Sequence, residues 1–223
     1  MELTMITEWL NSVFTNFDYS ILSALHHFAE RTNGLFTMFF SFVSLFAENG
    51  ICMLLLGIVL MCFKKTRKIG MCVFGAVCCG IVITNLVLKD FIARPRPFAD
   101  AAGLYNSWWR VIGMPAESRY SFPSGHVTAA MAAMTALFFS CRKKTSWIGF
   151  LFVALMGLSR NYLMVHYPSD VLGGVVAGAI SAVIAFYITK LIYHIFNKYS
   201  ENRLCRLFLQ FDISDILHRN KNK

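Results

Sequence analysis

"GMCVFGAVCCGIVITNLVL", Gly70–Leu88, runs for 19 residues without a charge. A helix that crosses a bilayer needs about 20 mostly apolar residues. Working outward, Lys64, Lys65, Arg67 and Lys68 precede this run and Lys89 follows it directly. Three more uncharged runs lie downstream: His126–Cys141, Thr145–Leu158 and Val171–Thr189. The first two of these reach span length only with their flanks, so their polar ends belong at the membrane surface. Upstream, Gly34–Phe63 carries one charge, Glu48, near its middle. Glu48-Asn49-Gly50 marks a break there, giving one broken span or two short ones.

The composition agrees. Of 223 residues, 57% are hydrophobic and only 15% charged, with a mean hydropathy of +0.55. Soluble domains carry about 25% charged residues, so a soluble globular domain is excluded. The predicted fold is all-α, an integral membrane bundle of five or six transmembrane helices. Residues 1–33 form an N-terminal amphipathic interfacial segment, one helix or a pair, carrying Glu2, Glu8, Asp18 and Glu30 among apolar residues. That stretch lacks the basic start and cleavage site of a signal peptide. Residues 34–196 form the membrane domain and 197–223 a basic tail. The seven cysteines show no zinc-ligand spacing and read as small apolar residues.

Lys and Arg near span ends stay in the cytoplasm. Fourteen of the 21 basic residues fall in three clusters: Lys64–Lys68, Arg142–Lys144 and the tail from Lys190. With these inside, the spans alternate and the C-terminus is cytoplasmic. The +9 net charge is then a topology signal with affinity for anionic headgroups, and no nucleic-acid partner is expected.

The opposite, outer ends of the spans hold residues that do not belong in lipid. A mid-membrane charge costs at least about 2.5–3.5 kcal/mol. In "LKDFIARPRPF" (Leu88–Phe98), prolines fix an extended backbone that aims Arg94 and Arg96. In "PSGH" (Pro123–His126), Ser124 is placed to cap the following helix, and Gly125 lets a ligand approach the backbone. The helix N-terminus favours an anion, and His126 can move a proton near neutral pH. In "SRNYLMVHYPSD" (Ser159–Asp170), His166 and Asp170 are four apart at a helix entrance. A carboxylate on one imidazole nitrogen fixes the tautomer and improves the other as nucleophile. Each stretch alone also reads as an interfacial cation, an ordinary cap or a polar turn. Orientation puts all three on one face, where they make a phosphate site with a nucleophile and an acid.

These stretches match three motifs in order, K-x6-RP, PSGH and SR-x5-H-x3-D. The chain therefore resembles the type 2 phosphatidic acid phosphatase superfamily over about 100 residues, with the N-terminal 60 residues and the tail outside the resemblance. The resemblance implies that Lys89, Arg96 and Arg160 bind the phosphoryl oxygens, with Ser124, the Gly125 backbone and Ser159 adding hydrogen bonds. It implies that His166 attacks phosphorus, that Asp170 orients it, and that His126 protonates the leaving oxygen and then activates water. Arg94 is outside the motif and is expected as a secondary contact. No metal or cofactor is implied, because the cations supply the charge neutralisation.

A site at the outer face suits a lipid phosphate or diphosphate whose tail stays in the bilayer. The small size and outer-face site resemble the bacterial undecaprenyl diphosphate phosphatases of this family. Phosphatidylglycerophosphate and phosphatidic acid are alternative substrates. A lipid phosphotransferase is a second reading, and a non-enzymatic membrane transporter a third. The expected location is the plasma membrane, with membrane lipids as partners; the oligomeric state is open. The loop Phe98–Tyr120, with Trp108 and Trp109, is expected at headgroup level. Gly174 and Gly178 form a G-x-x-x-G read as packing within the bundle.

Overall fold

The computed structural model describes residues 4–117, 120–141 and 143–215, with the side chains of Asn49, Lys143 and Lys144 left out. The expected basic residues Arg119, Arg142, Arg219, Lys221 and Lys223 lie outside the described residues. The chain is all-helical. In order come α1 (Met5–Arg31), α2 (Thr37–Leu45), α3 (Ile51–Cys62), α4 (Arg67–Ile81), α5 (Lys89–Ile92), α6 (Leu104–Val111), α7 (Gly125–Ser140), α8 (Lys143–Ser146), α9 (Gly149–Tyr162), α10 (Pro168–Lys198) and α11 (Arg203–Gln210).

The uncharged run Gly70–Leu88 is the middle of one continuous 26-residue helix, Arg67–Ile92, joining α4 to α5. Its Val82–Leu88 stretch winds as a π-helix. Such wide turns inside helices are frequent at functional sites, and this one leads into Lys89. Arg67–Ile92 and the 31-residue α10 are both long and apolar enough to cross a membrane, and many of their large side chains, among them Leu86, Val176, Ile180 and Leu191, face outward. Outward apolar side chains on helices of this length are what a lipid solvent requires.

The break at Glu48–Gly50 is real. A short 3-10 turn separates α2 from α3, and Gly50 takes a left-handed φ of 71°, which glycine adopts without penalty. With nine and 12 residues, neither α2 nor α3 alone spans about 30 Å of hydrocarbon.

The core lies where α4, α7 and α10 meet, lined by small residues: Ala76, Ala129, Ala132, Ala133, Ala182 and Ala185. Small residues let backbones approach closely, which is how helices associate without a hydrophobic drive. Gly174 and Gly178 are the extreme. A Cβ on Gly174 would sit 2.8 Å from Ser124 O, and one on Gly178 would sit 2.6 Å from Thr128 O. The G-x-x-x-G therefore seats α10 on α7, inside the bundle.

α1 is one helix, not a pair, and it buries Thr7, Leu10, Asp18, Leu22, His26 and Ala29. The Oγ1 atoms of Thr4 and Thr7 both donate to Ile92 O at 2.6 Å. That carbonyl belongs to a helix end, where partners must come from outside the helix. The Phe98–Tyr120 loop packs inward as well. Trp108 is buried and stacks on His26 at 4.7 Å, and Trp109 stacks on Phe98 at 4.4 Å. Trp108 is thereby held against α1, and Trp109 against a ring of its own loop.

At the other end of the bundle, buried Arg67 donates to the carbonyls of Met61, Phe208 and Phe211. This ties the tail to the turn before α4.

Candidate active site

Lys89, Arg96, Gly125, His126 and His166 line one cavity of about 210 Å³, with Thr84, Asn85 and Glu117 among its other walls. A second cavity of about 590 Å³ shares His126 and Glu117 and is lined also by Arg160, Ser44 and Glu48. Five of the nine residues singled out from sequence thus line the first cavity, and Arg160 lines the second.

Each is positioned by a local feature. Lys89 follows the π-wound turn directly. Its Nζ lies 4.0 Å from where a Cβ on Gly125 would stand. Arg96 sits in extended backbone before Pro97. Its Nη1 donates to Val165 O at 2.8 Å and lies 3.4 Å from His166 Nε2. Burial lowers the Arg96 pKa, Glu117 opposes this, and neighbouring Arg160 adds to it.

Ser124 occupies the N-cap position of α7, but its side chain makes no cap hydrogen bond. Its Oγ is buried without a partner, as is Arg160 Nε. Buried polar atoms are nearly always paired, and exceptions point to a missing ligand or a functional role. Of the six such side-chain atoms among the described residues, these two belong to the residue set expected to hold phosphate. Gly125 adds a helix N-terminus whose amides and dipole favour an anion.

Ser159 turns toward α2. Its Oγ donates to Phe40 O at 2.7 Å, and the residue is fully buried. It fastens α9 to α2 and does not line either cavity, because the α2 carbonyl takes its single proton.

His166 is 1% exposed. Its Nδ1 lies 3.4 Å from Asp170 Oδ2, a long contact that leaves Nδ1 short of a well-aligned hydrogen bond. Nε2 is the nitrogen on the Arg96 side. Burial, then the charges of Arg96, Arg160 and Lys89, push the imidazole well below its ordinary value, so it is neutral and holds a free electron pair at pH 7. Asp170 accepts from Tyr167 N at 2.8 Å through Oδ2 and from Arg94 Nη1 at 2.7 Å through Oδ1.

Three contributors were not read from the sequence. Glu117 bridges the two cationic arms, with Oε2 3.1 Å from Arg96 Nη2 and Oε1 on Arg160 Nη2. Ser44 accepts from Arg160 Nη1. Asp18, from α1, pairs with Arg94 at 2.9 Å. Among the described residues, no group of three or more His, Cys, Asp or Glu is placed to hold a metal ion.

A family profile described as the PAP2 superfamily matches residues 69–193. Undecaprenyl-diphosphatase BcrC of Bacillus subtilis is 30% identical over 175 residues, covering 78% of this chain and 86% of that one. Phosphatidylglycerophosphatase B of the same organism is 35% identical over 118 residues, about half of each chain. The crystal structure of a transmembrane PAP2-type phosphatidylglycerolphosphate phosphatase from Bacillus subtilis superposes with a TM-score of 0.61 at 25% identity, covering 84% of this chain and 90% of that one. The chain belongs to the PAP2 superfamily, among its membrane lipid phosphatases.

Proposed function

We propose that this protein hydrolyses a membrane lipid phosphate or diphosphate through a phosphohistidine intermediate, with undecaprenyl diphosphate as the preferred substrate. The observation that carries the reading is the shared cavity of Lys89, Arg96, the α7 N-terminus and the two histidines, with Arg160 joined to Arg96 through Glu117. Phosphoryl transfer needs positioning and charge neutralisation above all, and three cations with a helix N-terminus supply both without a metal.

In this mechanism His166 Nε2 attacks phosphorus. The bond from phosphorus to the leaving oxygen breaks, and His126 gives that oxygen its proton. Asp170 stabilises the charge that develops on His166. Water then attacks the phosphohistidine, His126 takes its proton, the P–N bond breaks and free phosphate leaves. One histidine must be neutral while the other is protonated, the usual division between nucleophile and acid.

The diphosphate preference is supported by the BcrC relative, which matches most of both chains. The basic clusters at the opposite span ends support a site that opens at the extracytoplasmic face of the plasma membrane. We assign residues 1–33 to a flanking helix, 34–196 to the phosphatase domain and 197–223 to an inner-face tail.

Phosphate release from a panel of purified lipid phosphates and diphosphates, with and without chelator, tests this. The reading predicts fastest release from the polyprenyl diphosphate, unaffected by chelator. Transfer of the label to a second lipid would support a phosphotransferase. Absence of release from every lipid would contradict the enzyme reading.

A further inference from the structure

Asp18 lies on α1, 51 residues before the family profile begins. It is 2% exposed and has no part in the motifs. Its Oδ2 is 2.9 Å from Arg94 Nη2 and accepts from Ser169 Oγ at 2.7 Å. Its Oδ1 accepts from Ser169 N at 2.8 Å. Arg94 in turn donates through Nη1 to Asp170 Oδ1 and to Ser169 Oγ, both at 2.7 Å, and through Nε to Asn11 Oδ1 at 3.0 Å. Arg94 is 1% exposed and Asp170 0%.

The charges of this chain alternate: Asp18, Arg94, Asp170, then the His166 imidazole. Arg94 and Asp170 alone make a neutral pair. A neutral pair offers little to a cation forming on His166, since the guanidinium cancels the carboxylate in a low-dielectric interior. With Asp18 the group carries a net negative charge beside His166. Removing one partner of a buried pair leaves an uncompensated charge, so the triple is needed as a set. The geometry also fixes Asp170. With Oδ1 held by Arg94, Oδ2 is left to face His166 Nδ1.

We infer that Asp18 is a positioning residue for the reaction, acting through Arg94 to hold the Asp170 carboxylate and to restore its negative charge toward His166. This rests on the phosphatase reading above. It makes α1 part of the catalytic apparatus, although every motif residue lies between positions 89 and 170.

The full-length protein in detergent, assayed on a polyprenyl diphosphate, tests it. Asp18→Asn keeps the shape and removes the charge. The expected result is a fall in kcat of about 10–100-fold, the scale of a misplaced catalytic group. KM and the inhibition constant of inorganic phosphate should change by less than about threefold, because the phosphate-binding cations are untouched. Asp18→Asn/Arg94→Gln should be no slower than Asp18→Asn alone, because the guanidinium that cancels the Asp170 charge is then gone. Ser169→Ala, which removes one hydroxyl from the same network, should lower kcat several-fold at unchanged KM and serves if Asp18→Asn does not fold. An Asp18→Asn enzyme with wild-type kcat would overturn the inference. So would a Ser169→Ala enzyme with wild-type kcat, or a kcat loss matched by an equal loss of inorganic phosphate binding. A wild-type protein inert on every lipid phosphate would instead sink the functional reading itself.

Discussion

Glu117 Oε2 lies 3.1 Å from Arg96 Nη2, and the other oxygen of that carboxylate meets Arg160. The protein's own anion thus sits on two of the three cations proposed to hold phosphate. Any phosphoryl group using both arginines must compete with it. Glu117→Gln should therefore bind inorganic phosphate or vanadate more tightly, by at least about tenfold, which corresponds to about 1.4 kcal/mol. Competitive inhibition constants check this, and weaker binding in the variant would show that Glu117 supports the site instead of competing for it.

Acid sensitivity follows from His166. Its pKa is pushed below the ordinary 6.5 by burial and by Arg96, Arg160 and Lys89; Asp170 Oδ2, 3.4 Å from Nδ1, is the acidic side chain facing it. An unperturbed imidazole would take a proton as pH falls through 6.5 and lose its nucleophilic electron pair. Here protonation waits for lower pH, so the neutral form persists. The profile of kcat/KM, which reports the free enzyme, should keep its acid limb below pH 6.5. An acid limb above that value would contradict the geometry.

Packing gives a prediction independent of chemistry. A Cβ on Gly178 would stand 2.6 Å from Thr128 O and 2.9 Å from Ala132 N. Both are backbone atoms of α7, which cannot swing aside as a side chain could. Gly178→Val should cost at least about 1–3 kcal/mol, seen as a lower unfolding temperature in detergent. Wild-type unfolding would mean that α10 and α7 are farther apart than described.

Much of the site was legible in the sequence because its chemistry clusters in short motifs. Lys89, Arg96, Gly125, His126 and His166 were named from residue type and spacing, and they line one cavity. The break at Glu48–Gly50 was legible because a charge and a left-handed glycine interrupt an apolar run. Ser159 was named from a motif, which fixes identity but not direction, and its hydroxyl turns to Phe40 O. Asp18 and Glu117 could not be read. Asp18 meets Ser169 across 151 positions and Arg94 across 76, and a lone acid in an amphipathic helix looks like a solvated charge until the fold closes around it. The π-wound turn before Lys89 left no sequence signal either.

The central claim is that His166 carries the phosphoryl group. It is tested most directly by mixing the protein with a polyprenyl diphosphate radiolabelled on its terminal phosphate and quenching in alkali within the first turnover. The account predicts a base-stable, acid-labile label on the peptide containing His166. His126→Ala should slow both the appearance and the loss of the label, and His166→Ala should lack both label and phosphate release. Full phosphate release by His166→Ala, or a label on another residue, would contradict the account.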